Sequence, residues 1–166
     1  KIGYLTGFRN MNLRLFKFSD FVEEKGHTVI SAVIKNDGLH EMPLIPEAKA
    51  AIEEQREKLR ELGFNVTNDH YIFPRLIQKG GRKDNIPYSA QGILDIIKRM
   101  ATRAGLDGRI VTHSLRKGFA TDLDRAGADI KATSKLMGHK NLQTTIGYIE
   151  DNRSFDGNPI YRLSTT

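Results

Sequence analysis

Two stretches rich in β-branched and apolar residues flank an Asn-Asp-Gly turn, and this pattern constrains the fold more than any other part of the chain. The first stretch, Thr28–Ile34, reads TVISAVI, and the second, Leu39–Ile45, reads LHEMPLI. Asp-Gly favours the tight turns that join antiparallel strands. The sequence therefore predicts a β-hairpin here, and with it a small antiparallel sheet.

Helical spacing of apolar residues dominates the rest of the chain, so we expect a mainly α-helical α+β domain. Apolar spacing and end signals predict helices over 10–17, 47–62 after Pro46, 90–104 and 113–126, then two short helices after Asp129 and Asn141. Ser89 and Thr112 suit the N-cap positions of the third and fourth helices. A short extended piece is expected over 70–73.

The apolar positions of the predicted helices indicate which side chains face the core. In the helix over 90–104 these are Ile93, Ile96, Ile97, Met100 and Ala104. In the helix over 113–126 they are Leu115, Phe119 and Leu123.

Composition narrows the class of protein. The 166 residues include no cysteine, which excludes disulfides and cysteine-based zinc sites. No apolar run approaches the roughly 18 residues of a membrane span, so we expect a soluble, intracellular protein. The net charge of +6 and the pI near 9.6 favour a polyanionic partner, nucleic acid first.

Two segments offer cations for such a partner. Lys79, Arg82 and Lys83 lie in a glycine-containing loop that could follow a phosphate backbone or simply increase solubility. In the helix over 90–104, the exposed positions include Gln91 and the pair Lys98-Arg99. Glutamine can read a base and a cation can bind a phosphate, so this helix is our candidate to enter a DNA groove.

Four side chains suited to phosphodiester chemistry lie between residues 113 and 148. His113 and Arg116 are one helical turn apart, His139 directly follows a predicted helix end, and Tyr148 comes nine residues later. A guanidinium pairs bidentately with phosphate, an imidazole transfers protons, and a phenol can form a covalent ester. This set could handle a phosphodiester without a metal.

Arg9 and Lys35 could complete the set. A second arginine would stabilise transition-state charge, and a lysine could protonate the departing alkoxide. Position alone also allows Arg9 to be a solvated surface cation. Lys35, in the hairpin turn, could serve only to prevent the strand edge from pairing with another chain. His27 and His40 are isolated in the sequence, and we expect both on the surface.

Several separated motifs resemble the catalytic domain of the tyrosine recombinases, also called the phage integrase family. The matching segments are TGFR at 6–9, Lys35 in the hairpin turn, HSLR at 113–116, LMGH at 136–139, and TT at 144–145 with Tyr148 after it. Their order and spacing carry the resemblance, with twenty-three residues from Arg116 to His139 and nine from His139 to Tyr148.

The resemblance implies a role for each candidate. Arg9 and Arg116 would clamp the scissile phosphate, and His139 would hydrogen-bond to it. Lys35 would protonate the leaving 5′ oxygen, and His113 would act as acid or base.

As the nucleophile, Tyr148 would form a 3′-phosphotyrosine. A site-specific recombinase or integrase of this kind needs no metal, ATP or other cofactor. Its implied partners are double-stranded DNA and further copies that form a synaptic tetramer, with a monomer expected in isolation.

The resemblance also implies a domain organisation. We expect residues 1–150 to form the catalytic domain, truncated at its N-terminus, and residues 151–166 to form a tail. Asn12 stands where the family usually has an acidic residue, and Lys117 replaces a common histidine.

Two alternatives stay open. One is a type IB topoisomerase, which uses a similar residue set, although the compact last motif favours the recombinase. The other is a DNA-binding module that keeps the fold without the chemistry, which would not need the phenol at Tyr148.

Overall fold

The computed structural model describes residues 1–34, 38–76, 79–106, 110–139 and 141–149, except the side chains of Ile34 and Lys79. Within these ranges a small sheet accompanies a larger number of helices, as predicted. The strands are β1 (Phe21–Glu24), β2 (His27–Ile34) and β3 (Gly38–Pro43). The α-helices are α1 (Ile2–Thr6), α2 (Asn10–Leu15), α3 (Pro46–Glu61), α4 (Ala90–Arg103), α5 (Thr112–Arg125), α6 (Ile130–Leu136) and α7 (Leu142–Ile146). Short 3₁₀ turns occupy Phe18–Asp20 and Lys79–Gly81.

The sheet is antiparallel, in the order β1-β2-β3. Ile30, in the central strand, pairs with Phe21 on one side and Met42 on the other, and both Ile30 and Met42 are buried. The predicted hairpin is thus confirmed as β2 and β3. Its turn at 35–37, which includes Lys35, lies outside the described residues.

Strand β1 was not predicted. It joins β2 through Lys25 and Gly26, whose φ angles of 50° and 80° are both positive. Two successive residues with positive φ fit the twist of a two-residue hairpin. The strand reads FVEE, too short and too charged to show alternation.

Capping side chains define where three helices begin, as the sequence indicated. Ser89 accepts a hydrogen bond from the main-chain N–H of Gly92 at the start of α4. Asp129 and Asn141 cap α6 and α7 in the same way. Thr112 is the first residue of α5, one position after its N-cap, so that assignment was wrong by one residue.

Several predictions of burial need correction. On α4, Ile93 is buried, but Met100 is 59% exposed and Ala101 takes the core position instead. Ala104 is exposed beyond the end of α4. The other predicted core positions are partly buried, namely Ile96 and Ile97 on α4 and Leu115, Phe119 and Leu123 on α5. The face of α4 that packs against the core is therefore rotated from the predicted apolar stripe, because the neighbouring elements determine which side of the helix is covered.

His40 is not a surface residue. Its ring lies edge-on to Phe8, with centroids 5.7 Å apart, and its Nε2 is 2.9 Å from the carbonyl oxygen of Leu136. His27 is exposed, as expected. The piece at 70–73 forms only an isolated bridge, between Tyr71 and Lys17.

The main core lies between the sheet, α2 and α3. Its fully buried members include Phe18, Ile30, Leu59 and Ile72. Phe8 and Phe16 pack edge-to-face in the same cluster, on either side of α2. This packing fixes the segment that carries Arg9.

A second contact joins α1 to α5. Gly118 leaves room for the ring of Tyr4, because a Cβ there would lie 2.7 Å from Cε2 of Tyr4. The Tyr4 hydroxyl donates to Asp122 one turn further along α5. The start of the chain is thereby held against the helix that carries Arg116.

No helix in the described part of the chain is long and apolar enough to cross a membrane.

Candidate active site

Arg116 on α5 is the central side chain of the site. Although it is charged, only 2% of its surface is exposed. Its guanidinium donates hydrogen bonds to the carbonyl oxygens of Gly7, ahead of α2, and Met137, at the end of α6. A third hydrogen bond joins Nη2 to Nε2 of His139 over 2.6 Å. Arg116 therefore connects three separate parts of the chain.

The environment of this guanidinium favours a bound anion. Its Nε is buried without a hydrogen-bond partner among the described residues, and such a donor costs about 1–3 kcal/mol. Burial, and then the nearby charge of Arg9, lower the pKa of Arg116 to about 10, against a smaller opposing effect of Tyr148. Arg116 is still charged at neutral pH, and a phosphate beside it would offset both costs.

Gly7 brings its carbonyl to Arg116 through a left-handed main-chain conformation. Its φ is 60°, which strongly favours glycine. A Cβ at this position would also lie 2.3 Å from Cδ1 of Phe119 on α5. Any other residue would push the two segments apart.

Tyr148 follows α7, and its ring lies beside two imidazoles. It stacks on His139 with centroids 5.2 Å apart and 16° between the planes. The ring of His113 is 4.7 Å away, and its Nδ1 is 3.4 Å from the Tyr148 hydroxyl oxygen. The guanidinium carbon of Arg116 lies 5.8 Å from the centre of the phenol ring.

The solvent exposure of these four side chains differs, and the order suits a reaction with a substrate that approaches from solvent. His113 is exposed, Tyr148 and His139 are half-buried, and Arg116 lies beneath them. A phosphate approaching from solvent would meet the phenol and the imidazoles with a fixed cation behind them. Such an arrangement can orient an oxygen nucleophile and stabilise charge on non-bridging phosphate oxygens.

Arg9 is the N-cap residue of α2, and its side chain is exposed. It lies two residues after Gly7, whose carbonyl oxygen accepts from Arg116, and its charge contributes to the lowered pKa of Arg116. The structure thus brings Arg9, His113, Arg116, His139 and Tyr148 together. Lys35, the remaining candidate, lies outside the described residues.

The candidates for DNA contact lie on two other segments. Arg82 and Lys83 are exposed, and Nζ of Lys83 lies 5.2 Å from the centre of the Phe64 ring. Lys79 belongs to the 3₁₀ turn at 79–81, but its side chain is not described.

On α4, Lys98 and Arg99 are exposed. Gln91 donates a hydrogen bond to Asp95 within the helix, over 2.7 Å. The start of α4 is tied to α2, because Asn10 Nδ2 donates to the carbonyl oxygen of Ala90. Helix α4 therefore begins close to the segment that carries Arg9.

Sequence reasoning missed two residues that hold the site. Thr145 is fully buried, and its hydroxyl lies 2.8 Å from Nδ1 of His139. Thr121 on α5 donates to the carbonyl oxygen of Tyr148 over 3.4 Å. The only sequence signal was the presence of Thr145 in the last motif, one helical turn before Tyr148.

No group of three or more His, Asp or Glu side chains in the described ranges is placed to hold a metal ion.

A family model and several curated relatives match this chain along most of its length. The model described as "Phage integrase family" matches residues 1–154. Tyrosine recombinase XerD of Listeria innocua serovar 6a is 32% identical over 149 residues, which cover 87% of this chain and 46% of that protein. The chain thus spans about half the length of this curated relative.

Solved structures share the fold. The XerA recombinase superposes with a TM-score of 0.77 at 22% identity, over 99% of this chain and 57% of that one. The Tn1549 transposon integrase, solved in complex with transposon right end DNA, gives a TM-score of 0.71 at 18% identity, over 99% of this chain and 57% of that one.

Proposed function

The chain belongs to the phage integrase family, and we propose that residues 1–150 are the catalytic part of a site-specific DNA recombinase. It would cleave one DNA strand by attack of Tyr148 on a phosphodiester, and rejoin strands by the reverse reaction. The observation that carries the proposal is the buried Arg116, whose Nε has no hydrogen-bond partner among the described residues, next to a phenol that lies beside two imidazoles.

The proposed step balances as a transesterification. The Tyr148 oxygen forms a bond to phosphorus, the bond from phosphorus to the 5′ oxygen breaks, and the phosphate stays on the 3′ side as a phosphotyrosine. The phenol proton passes to a base, for which His113 Nδ1 at 3.4 Å is the nearest candidate. The 5′ oxygen takes up a proton, which Lys35 or His113 would supply.

Two cations would stabilise the transition state. Arg116 is preorganised, because its bonds to two main-chain carbonyls fix the guanidinium before any substrate arrives. Arg9 is exposed and would close on the same phosphate from the side of α2. Preorganised charge of this kind is commonly the largest contribution to catalysis. The phosphotyrosine ester keeps the energy of the cleaved phosphodiester bond, so rejoining the strands needs no ATP.

Double-stranded DNA is the proposed substrate, in keeping with the transposon DNA bound by the structurally similar Tn1549 integrase. The basic composition and the exposed cations of α4 support this partner. Assembly into a synaptic tetramer on DNA is part of the same proposal.

The first prediction concerns the nucleophile. A nicked suicide substrate should trap a covalent protein–DNA adduct with the wild-type protein. With Tyr148→Phe the adduct yield should fall by at least ~10³-fold, because the attacking oxygen is gone.

The control is DNA affinity, which should stay near the wild-type value in Tyr148→Phe because the ring and its stacking remain. A covalent adduct that persists in this variant would overturn the assignment of Tyr148.

A further inference from the structure

The imidazole of His139 is held at both nitrogens. Nε2 is 2.6 Å from Nη2 of Arg116, and Nδ1 is 2.8 Å from the hydroxyl oxygen of Thr145. Both partners are buried, with Arg116 2% and Thr145 0% exposed. The orientation of the ring is therefore determined from two sides, one on α5 and one on α7.

The chemistry of the two partners determines the tautomer. A guanidinium can donate hydrogen bonds but cannot accept them, so Nε2 must present its lone pair to Arg116. The proton of the neutral ring is then on Nδ1, which can donate it to the Thr145 hydroxyl oxygen over 2.8 Å. In the opposite tautomer, an N–H at Nε2 would face an N–H of Arg116, and two donors in contact repel each other.

Thr145 also holds the nucleophile, but through its main chain. Its carbonyl oxygen accepts hydrogen bonds from the N–H groups of Tyr148 over 3.0 Å and Ile149 over 3.3 Å. The Tyr148 ring in turn stacks on His139. A substitution that changes only the Thr145 hydroxyl leaves the main-chain link to Tyr148 in place, so the two contributions can be separated.

We propose that Thr145 is a positioning residue of this site. Its hydroxyl holds His139 in the Nδ1-protonated tautomer and so directs the Nε2 lone pair at Nη2 of Arg116, which orients the guanidinium proposed to bind the scissile phosphate. The consequence for strand cleavage rests on the proposed function, whereas the tautomer is a property of the protein without DNA. Side chains that orient an imidazole in this way commonly change activity without contacting the substrate.

The tautomer can be measured directly by two-bond ¹H–¹⁵N NMR correlation of the histidine rings at a pH above their titration. Wild-type His139 should show a protonated Nδ1 and an unprotonated Nε2. In Thr145→Val, which has the same shape without the acceptor, the Nδ1 proton loses its partner, so the preference for this tautomer should weaken although Arg116 still favours it. In Thr145→Ser, which keeps the hydroxyl, it should persist.

The rate of adduct formation on the suicide substrate is the second readout. Thr145→Val should lower this rate about 10-fold, the effect expected of one lost buried hydrogen bond, while DNA affinity stays near wild type. Thr145→Ser should recover most of the rate.

The matched control is Thr133→Val on α6. Thr133 is also fully buried, but its hydroxyl has no hydrogen-bond partner within the described ranges. The substitution should leave both the His139 tautomer and the adduct rate unchanged.

Three results would overturn the proposal: a protonated Nε2 in wild-type His139, a wild-type adduct rate in Thr145→Val, or a Thr145→Ser variant as slow as Thr145→Val. The last result would indicate a packing role for the methyl group. If the wild-type protein forms no adduct while His139 shows the expected tautomer, the proposed function fails and the positioning of His139 stands.

Discussion

Arg116 illustrates how a single buried cation can be stable in the fold and still poised to bind. Its hydrogen bonds to Gly7 and Met137 compensate part of the desolvation, but burial and the charge of Arg9 still lower its pKa to about 10. A base whose pKa is lowered on folding destabilises the protein at every pH below the lowered value, because its charged form is disfavoured there. At neutral pH the site therefore carries an electrostatic cost that an anion would remove.

A second prediction follows for Arg9. Arg9→Gln should raise the melting temperature of the protein without phosphate slightly, because a like charge near Arg116 is removed. Adding tens of millimolar inorganic phosphate should raise the melting temperature of the wild type by a few degrees through binding to the folded state, and much less in Arg9→Gln. Differential scanning calorimetry at constant ionic strength measures both effects.

Arg82→Gln is the matched control for this test. It removes an exposed arginine outside the site and should keep the full response to phosphate. An equal phosphate response in Arg9→Gln and wild type would contradict a shared anion site.

At the scale of single residues, sequence reasoning identified the groups that carry chemistry but not the groups that hold them. His113, Arg116, His139 and Tyr148 were predicted as one set, because their residue types and spacing suggest a function. Thr145 lies in the last motif, but no role was predicted for it, because the contact of its hydroxyl with His139 has no local sequence signal. His40 was wrongly placed on the surface, since its contact with Leu136 joins residues far apart in the chain.

Secondary-structure elements were predictable wherever a local signal marked their ends. Caps at Ser89, Asp129 and Asn141 and the proline that begins α3 agree with the structure. Strand β1 had no such signal, because its pairing with β2 depends on the conformation of Lys25 and Gly26. Contacts between elements, such as Gly7 against Phe119, lie beyond what local patterns can predict.

The third prediction concerns that contact. Gly7→Ala should lower the free energy of unfolding by about 2–4 kcal/mol, because it combines an unfavourable positive φ with a clash against Phe119. Urea unfolding measures the change.

Gly63→Ala separates the two causes. Gly63 has a φ of 83°, but nothing lies within 4 Å of a Cβ placed there. This variant should lose only about 1 kcal/mol. Equal losses in the two variants would show that the packing of Phe119 on Gly7 does not matter.

At the scale of the whole molecule, the site exists only because distant segments meet. The packing of α1 on α5 and the two carbonyl contacts of Arg116 bring together the start of the chain, α5 and the end of α6. The resemblance of the separated motifs predicted that the candidate residues would converge. The contacts that hold them together, such as those of Arg116 with Gly7 and Met137, could not be predicted from the sequence. The place of Lys35 in this assembly stays a prediction.

The fourth prediction concerns binding by this chain alone. DNA affinity should be weak and should fall steeply with salt, because phosphate contacts from exposed cations would supply most of it. Replacing both Lys98 and Arg99 with glutamine should reduce the slope of log K against log salt by about 1–2.

Lys49→Gln is the control, because Nζ of Lys49 is already bound to Glu23 over 2.7 Å. It should leave the slope unchanged. Tight binding that does not respond to salt, or a slope that is the same in all three proteins, would contradict the proposed contacts.

The central claim is that Tyr148 becomes covalently joined to the 3′ phosphate of a cut strand. The most direct measurement is to digest the trapped protein–DNA complex and locate the attached nucleotides by mass spectrometry, using substrates labelled on either side of the phosphodiester that is cleaved. The account predicts attachment at Tyr148 and retention of the label on the 5′ side of the break, whose 3′ phosphate is linked to the protein. Attachment at another residue, or retention of the opposite label, would contradict it.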